Sequence, residues 1–404
     1  MYQIIFKSLS ISSLQSLLPS LTPQMVPTPF KSPLLSTFLL LSLLCSLANT
    51  FQFKEGEEFT ILQFTDMHFK GEESADTQSQ ELMRNMIKLA KPDLIVVSGD
   101  AVSGKPVKKT IGYEGAWKRW TAPLNEAQIP YAYILGNHDD EGDLDKFKIV
   151  ALDDTNPLSL RKKSEGIPST TNFVLPIHSS RNQNELAANI WFFDTGSVGC
   201  EGFTYSYGCI ERSQLQWYDE MSKKIKDQHG TNVHHIAFIH IPIPEYRKMC
   251  NENDLYGILD EAVSCPVVDM NFFGHVKANG DINAIFCGHD HKNDGGGWYD
   301  SVELVYGRKS GYGGYGDIQG AKVIKLKETI DEKGDLKVTR SQFVINEDGS
   351  IVQMGPSKPR GGDKQTQCKH PQWRTVPLWK VSLQKFFWEL GHSFSNVVQQ
   401  TISI

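Results

Sequence analysis

Five short clusters carry the residue types that can hold metal ions: Asp66-Met67-His68, Gly99-Asp100, Gly136-Asn137-His138-Asp139, His240, and Gly288-His289-Asp290-His291. Each closes an apolar run that reads as a strand. In α/β sheets the carboxyl ends of the strands meet in one crevice, so clusters far apart in sequence can converge there. The pooled inventory is Asp66, Asp100, Asn137, His68, His240, His289 and His291, with His138 left over. Oxygen and imidazole without thiolate suit Zn, Fe, Mn or Mg. Seven ligands exceed the needs of one tetrahedral ion and fit two ions sharing a bridging carboxylate, an arrangement that activates water and holds a phosphate.

In the order D-x-H, G-D, G-N-H-D, H and G-H-x-H, these residues resemble the calcineurin-like metallophosphoesterases over roughly residues 57–330. The resemblance implies a two-sheet β-sandwich flanked by helices, with a binuclear site at the carboxyl ends of strands. It places Asp66, His68, Asp100 and His291 on one ion, and Asp100, Asn137, His240 and His289 on the other. Asp100 would bridge. It also places His138 beside the metals, contacting the phosphoryl oxygen or protonating the leaving group, and so makes Asp100 and His138 the catalytic pair. Asn137 and His138 would also meet the substrate. The cofactors implied are two divalent or mixed-valence ions, Fe, Zn or Mn.

HIPIPEY from His240, Glu261, Cys265, GHDHKND from Gly288 and GYGGYG from Gly311 are similar to a eukaryotic subgroup described as purple acid phosphatase-like. True purple acid phosphatases have Gly where His68 stands and a metal-binding Tyr where Ser103 stands, so no tyrosinate-to-iron colour is expected. Calcineurin-type protein phosphatases place at Ser103 an Asp that orients the active-site His. Asp139 and Asp140 are the candidates to replace it.

The implied function is phosphomonoester hydrolysis. Two divalent ions carry +4 against −2 from Asp66 and Asp100, leaving a site attractive to a phosphate dianion. A metal-bound water has its pKa lowered from about 15.7 toward 7, giving a hydroxide for in-line attack on phosphorus. The same ligands could serve a phosphodiesterase or nucleotidase, since loops rather than ligands choose the substrate. A catalytically inert metal-binding protein is the reading from a different class.

The elements that must position these residues alternate between short apolar runs and amphipathic stretches. Strands are expected at 59–64, 94–97, 131–135, 190–193, 236–239 and 282–286, and helices at 81–90, 116–126, 213–225 and 267–278. This βαβ-type order predicts an α/β domain with a largely parallel central sheet. Runs at 302–306, 322–326 and 336–344 come without long helices between them and predict a second, more antiparallel sheet. Trp117 and Trp120 read as core, Asp290 and Asp294 as supporting or solvated residues, and His234 and His235 as surface or strand-edge residues. Gly311–Gly316 spells G-x-G-x-x-G, but a strand-like AKVIKL follows in place of a helix, which argues against dinucleotide binding. That loop, with Tyr312 and Tyr315, is expected to line the mouth of the site and contact substrate.

The 404 residues, 40% hydrophobic and 22% charged, describe a globular chain and exclude a mainly disordered one. The net charge of −6 offers no basic field, so no nucleic-acid partner is expected. Leu34–Ala48 is an uncharged apolar run of signal-peptide length with small residues at Ser46 and Ala48. Cleavage is expected after Ala48, leaving a chain of net charge −8 that is secreted or held in an endomembrane lumen. Membrane attachment follows only if the segment stays uncleaved. The 30 residues before Lys31 make a long n-region, whereas a start at Met25 gives a 24-residue signal. The domain is expected over 49–350, a linker over 351–371 that is Pro/Gly-rich from Gly355, and an amphipathic tail over 372–404. Six cysteines remain after cleavage, and the two local pairings expected are Cys200–Cys209 and Cys250–Cys265. Cys287 reads as a buried thiol. Oligomeric state is left open.

Overall fold

The computed structural model describes residues 51–56, 58–162, 166–250 and 255–354. The leader, most of the linker and the C-terminal tail lie outside the described residues. The chain runs β1 (Phe51–Gln52), β2 (Glu58–Phe64), α1 (Glu73–Ala90), β3 (Leu94–Ser98), α2 (Gly104–Val107), α3 (Gly112–Ala127), β4 (Tyr131–Ile134) and α4 (Lys146–Asp153). There follow β5 (Phe173–His178), β6 (Leu186–Phe192), β7 (Val198–Cys200), β8 (Phe203–Tyr207), α5 (Arg212–His229), β9 (His234–Phe238), α6 (Glu245–Met249) and α7 (Phe272–Asn279). The last elements are β10 (Ile282–Cys287), β11 (Gly296–Tyr299), β12 (Val302–Tyr306), β13 (Gly320–Ile330), β14 (Leu336–Asn346) and β15 (Ile351–Met354).

Two sheets face each other, and the parallel strands are divided between them. One has six strands in the order β15-β14-β13-β2-β3-β4 and the other seven in the order β1-β5-β6-β9-β10-β12-β11. The single parallel sheet expected from the βαβ order is therefore replaced by two parallel blocks, β2-β3-β4 and β6-β9-β10-β12. β13 and β14 add antiparallel strands to the first block, whereas Val302–Tyr306 joins the second in parallel.

The cause of the near-continuous apolar runs is burial on both faces. Ile61, Leu94, Val96 and Ile134 point between the sheets to meet Ile190, Phe192, Ile236, Phe238 and Phe286. Their neighbours Leu62, Phe64, Ile95 and Val97 point the other way, against Leu82, Met83 and Met86 of α1 and Trp117 and Trp120 of α3. On the far side Trp191, Phe193 and Ile239 pack under Leu215 and Tyr218 of α5 and Phe272 and Val276 of α7. Fully burying one side chain of this size stabilises by about 1.5–3 kcal/mol.

Several boundaries differ from those the apolar spacing predicts. α1 begins at Glu73, eight residues before the expected start at Glu81, because its first turns are polar and fixed by side chains: Asp76 accepts from the backbone of Lys70 and Gly71 and pairs with Arg119. Ile351–Met354, expected to begin the linker, pairs with β14 as a strand. His234 and His235 lie in β9, inside the sheet between β6 and β10, and His235 accepts a hydrogen bond from the Trp191 indole at 2.8 Å. His235 is buried, contrary to expectation, whereas His234 is half-buried at the start of the strand.

Cys200 and Cys209 form a disulfide as expected, and Cys287 is a buried free thiol. Cys265 is also free and buried, so the Cys250–Cys265 pair does not form. Its loop is held by other means, with the Arg247 guanidinium donating to the Val263 carbonyl and the Ser264 amide to Asp290.

Candidate metal centre

The carboxyl ends of β2, β3 and β4 in one sheet and of β9 and β10 in the other meet at one place. Asp66, His68, Asp100 and His291 present ligand atoms within 4.8 Å of one another, and so do Asp100, His240 and His289. Asp100 belongs to both groups. All six of these residues are buried. Asn137 joins the second group, its Oδ1 lying 3.2 Å from His240 Nε2.

Local backbone geometry aims these side chains. Asp66, His68, Asp100 and His289 all adopt the left-handed region, with φ of 52°, 53°, 51° and 79°. Four such non-glycine residues in one site carry a strain of roughly 1 kcal/mol or more each, borne where surrounding structure over-determines the conformation. The glycines of the motifs let the strand ends approach: a Cβ on Gly99 would run into the His240 ring, and one on Gly136 into Asp100. Asp139 locks the turn bearing Asp100 by accepting from the backbone amides of Asp100, Val102 and Gly136 at 2.8–3.0 Å. Burial, with the nearby Asp100 charge, pushes the Asp139 carboxyl up to about 7.

The imidazole tautomers show what the cluster is built to receive. His240 Nδ1 donates to the Ser98 carbonyl at 2.8 Å and His291 Nδ1 to the Tyr315 carbonyl at 2.8 Å, so in the neutral rings both Nε2 atoms carry lone pairs. Those lone pairs face carboxylates, His240 toward Asp100 Oδ2 at 3.3 Å and His291 toward Asp66 Oδ1 at 3.5 Å. Each such pair calls for a positive charge between its members, a proton or a metal ion. Two more atoms point the same way, since Asp100 Oδ2 and His289 Nε2 are buried without a hydrogen-bond partner. Carbonyl-oriented imidazoles around shared carboxylates are the usual surroundings of a metal ion, and the donor set fits two.

Protons compete for these positions. Burial pushes His68 and His289 down to about 3, leaving them neutral. Burial also disfavours the charged form of His240, but Asp100 outweighs it and holds the group up to about 10. Metal uptake therefore displaces the His240 proton at neutral pH. Apparent affinity for Zn²⁺ or Mn²⁺ is expected to rise by up to about tenfold per pH unit and to level off near pH 10, with proton release visible by calorimetry in buffers of different ionisation enthalpy. No proton release at pH 8 would contradict this.

His138 stands beside the cluster and outside both ligand groups. Its amide donates to Asp100 Oδ1 at 2.8 Å, and its ring centre lies 5.4 Å from that of His68. Neither Asp139 nor Asp140 orients it: Asp139 serves the backbone, and Asp140 accepts from Ser197 Oγ. Glu141 does, its Oε2 accepting from His138 Nδ1 at 2.8 Å while its Oε1 accepts from Lys105. Burial would raise the Glu141 carboxyl, but these partners hold it below the usual range. Ser103, at the position of the tyrosine of true purple acid phosphatases, bonds instead to His68 Nδ1 at 2.9 Å.

The two tyrosines of the Gly-rich loop are separated. Tyr315 stacks on His291 with ring centres 4.0 Å apart. Tyr312 gives its hydroxyl to Glu347 and packs against the core that backs the six-stranded sheet. Lys309, which the sequence did not single out, pins this loop: its buried ammonium donates to the carbonyls of Asp66, Gly311 and Gly313. Asp290 accepts from Tyr306 and Asp294 pairs with Arg308, both supporting roles as expected.

A family model of the calcineurin-like phosphoesterases matches residues 59–293. The chain belongs to that family. Among curated proteins, the chain is 31% identical over 299 residues to "Probable inactive purple acid phosphatase 29" of Arabidopsis thaliana, covering 66% of this chain and 75% of the relative. It is 28% identical to "Phosphatase DCR2" of Saccharomyces cerevisiae, covering 61% of this chain and 46% of that one. Among solved structures it is similar to a dimetal phosphatase from Danio rerio at 13% identity, covering 74% of this chain and 99% of the other with a TM-score of 0.48.

Replacing Glu141 with Gln should lower turnover on an alkyl phosphate by about tenfold, because the amide holds the His138 ring less firmly. Bound metal should stay at the wild-type level, since Glu141 touches no ligand. Steady-state kinetics with metal analysis checks both, and metal loss would contradict the assignment.

Proposed function

We propose that this protein is a binuclear metal-dependent phosphomonoesterase. The observation that carries the reading is the pair of buried ligand groups sharing Asp100, with its orphaned Oδ2, beside a histidine buttressed by Glu141. Asp66, His68, Asp100 and His291 would hold one ion, and Asp100, Asn137, His240 and His289 the other. When bound, such ions polarise the phosphoryl oxygens and supply a nucleophilic water at neutral pH. His138, with Nδ1 fixed by Glu141 and its side chain partly exposed, has Nε2 left to meet the phosphoryl oxygen or deliver a proton to the leaving oxygen. Tyr315 borders the site over His291.

The test is metal content and hydrolysis of nitrophenyl phosphate against its bis-ester. About two metals per chain with turnover of the monoester supports the proposal, and preference for the bis-ester replaces it with a phosphodiesterase. A second reading has one specific observation behind it, the word "inactive" in the name of the Arabidopsis relative. Two metals with no turnover of either ester would point to that reading, a metal-binding protein without hydrolase activity, or to a substrate outside these two ester classes.

Secretion or residence in an endomembrane lumen is proposed alongside, supported by the Cys200–Cys209 disulfide, a bond favoured in oxidising compartments. N-terminal sequencing of the mature protein tests it. Asn49 as first residue is expected, and an intact leader would overturn the cleavage site.

A further inference from the structure

Among the described residues β7 and β8 pair only with each other, as a hairpin outside both large sheets. The Cys200–Cys209 disulfide ties its first strand to the chain just beyond its second. Within it Val198 stands opposite Tyr207, which puts both side chains on one face. That face is apolar and partly exposed: Val198 is 71% and Tyr207 39% exposed. The face behind it is occupied, since the Val267 amide donates to Ser206 Oγ at 2.8 Å and Ser206 points away from Tyr207 in the strand.

The hairpin stands against the metal centre. The Tyr207 ring meets His289 edge to face, with centres 4.5 Å apart at 88°. On the other ligand group Tyr315 stacks on His291 and is 49% exposed, its hydroxyl held by Glu261. Both ligand groups are thus flanked by a partly open aromatic ring. Apolar surface next to a strongly polar reaction centre is what a ligand with one charged and one apolar end requires.

We infer that Tyr207 determines specificity: with Val198 it forms a shelf that receives a planar aromatic group of the substrate, while the phosphoryl end sits at the Asp/His cluster. The substrate class is therefore aryl or other ring-bearing phosphate monoesters in preference to short alkyl ones. This rests on the phosphomonoesterase reading for the chemistry at the phosphoryl end. The shelf itself follows from geometry. Offset or edge-to-face contact between aromatic rings adds to the area buried, and a tyrosine held against His289 loses little freedom on binding.

The test uses the full-length, metal-loaded protein and two non-hydrolysable probes, phenylphosphonate and methylphosphonate, with affinities measured by calorimetry. Wild type should bind phenylphosphonate about tenfold more tightly. Tyr207→Ala should bring the ratio close to one with bound metal unchanged, and Tyr207→Phe should keep the preference. Equal binding of the two probes by wild type, or an undiminished preference in Tyr207→Ala, overturns the inference. Loss of metal in Tyr207→Ala also overturns it, by showing that the ring only props His289. An intact, Tyr207-dependent preference without turnover of any monoester upholds the shelf and sinks the hydrolytic reading, so the two failures are distinct.

Discussion

Asp100→Asn is expected to leave the protein folded while bound metal falls from about two per chain to one or fewer and monoester turnover drops by about a thousandfold or more. The substitution is nearly isosteric, and Asn is among the residues that best tolerate the left-handed backbone that Asp100 adopts at φ 51°. With its oxygen toward the His138 amide, the side chain keeps the 2.8 Å bond now made to Oδ1. What changes is the other atom. Oδ2 sits between His68 Nε2 at 3.5 Å and His240 Nε2 at 3.3 Å, and in the variant that position holds an NH₂ group, a donor that cannot ligate. One of the two carboxylate charges in the ligand groups is lost from the position common to both. Losing a partner that merely orients a ligand already costs about 10–100-fold in affinity or activity, so loss of the shared ligand should cost more. Elemental analysis after reconstitution, circular dichroism and steady-state kinetics together decide it. Two metals retained per chain would show that Asp100 is not the bridge.

All five ligand clusters were legible because each combines a residue type that chemistry restricts with a strand end that periodicity marks. Their convergence is the general consequence of strands ending together. The partition of strands between sheets was not legible, and the reason is physical: a strand buried on both faces writes the same apolar run whichever neighbour it pairs with. Val302–Tyr306 illustrates this, since nothing in its composition separates a parallel partner of β10 from an antiparallel strand elsewhere. Glu141 was hidden in an acidic stretch, Asp139-Asp140-Glu141, that looks solvated. Only the short 3₁₀ turn over those residues brings its carboxylate back to His138. Lys309 reads as one more surface lysine in GRKSG, yet it is buried with its proton affinity lowered to about 8 by that burial, and three carbonyls satisfy it. Tyr207 belongs to a short hairpin that only the disulfide signals in sequence. The Cys250–Cys265 pairing failed because Cys250 is engaged in a different disulfide, which leaves Cys265 a buried free thiol, and local sequence spacing does not tell which sulfur a cysteine meets.

His138→Gln should lower kcat on an alkyl phosphate by about 10²–10³-fold, and on nitrophenyl phosphate by only a few-fold, with metal content unchanged. His138 belongs to neither ligand group, so removing the ring takes no donor from the ions. Its side chain is 42% exposed, unlike the buried ligands around it, so it can meet a substrate arriving from solvent. The Glu141 carboxylate fixes Nδ1 and leaves Nε2 to act, an arrangement that supports a general acid in the way a second group orients a catalytic imidazole. General acid catalysis contributes about 10²–10⁴-fold where the leaving group is a poor one, because an alkoxide must be protonated as it departs. A nitrophenolate leaves without that help. The ratio between the two substrates therefore isolates proton delivery from phosphoryl binding, which both share. Equal losses on the two esters would assign His138 to holding the phosphoryl oxygen instead, and Glu141→Gln should then follow the same substrate-independent pattern.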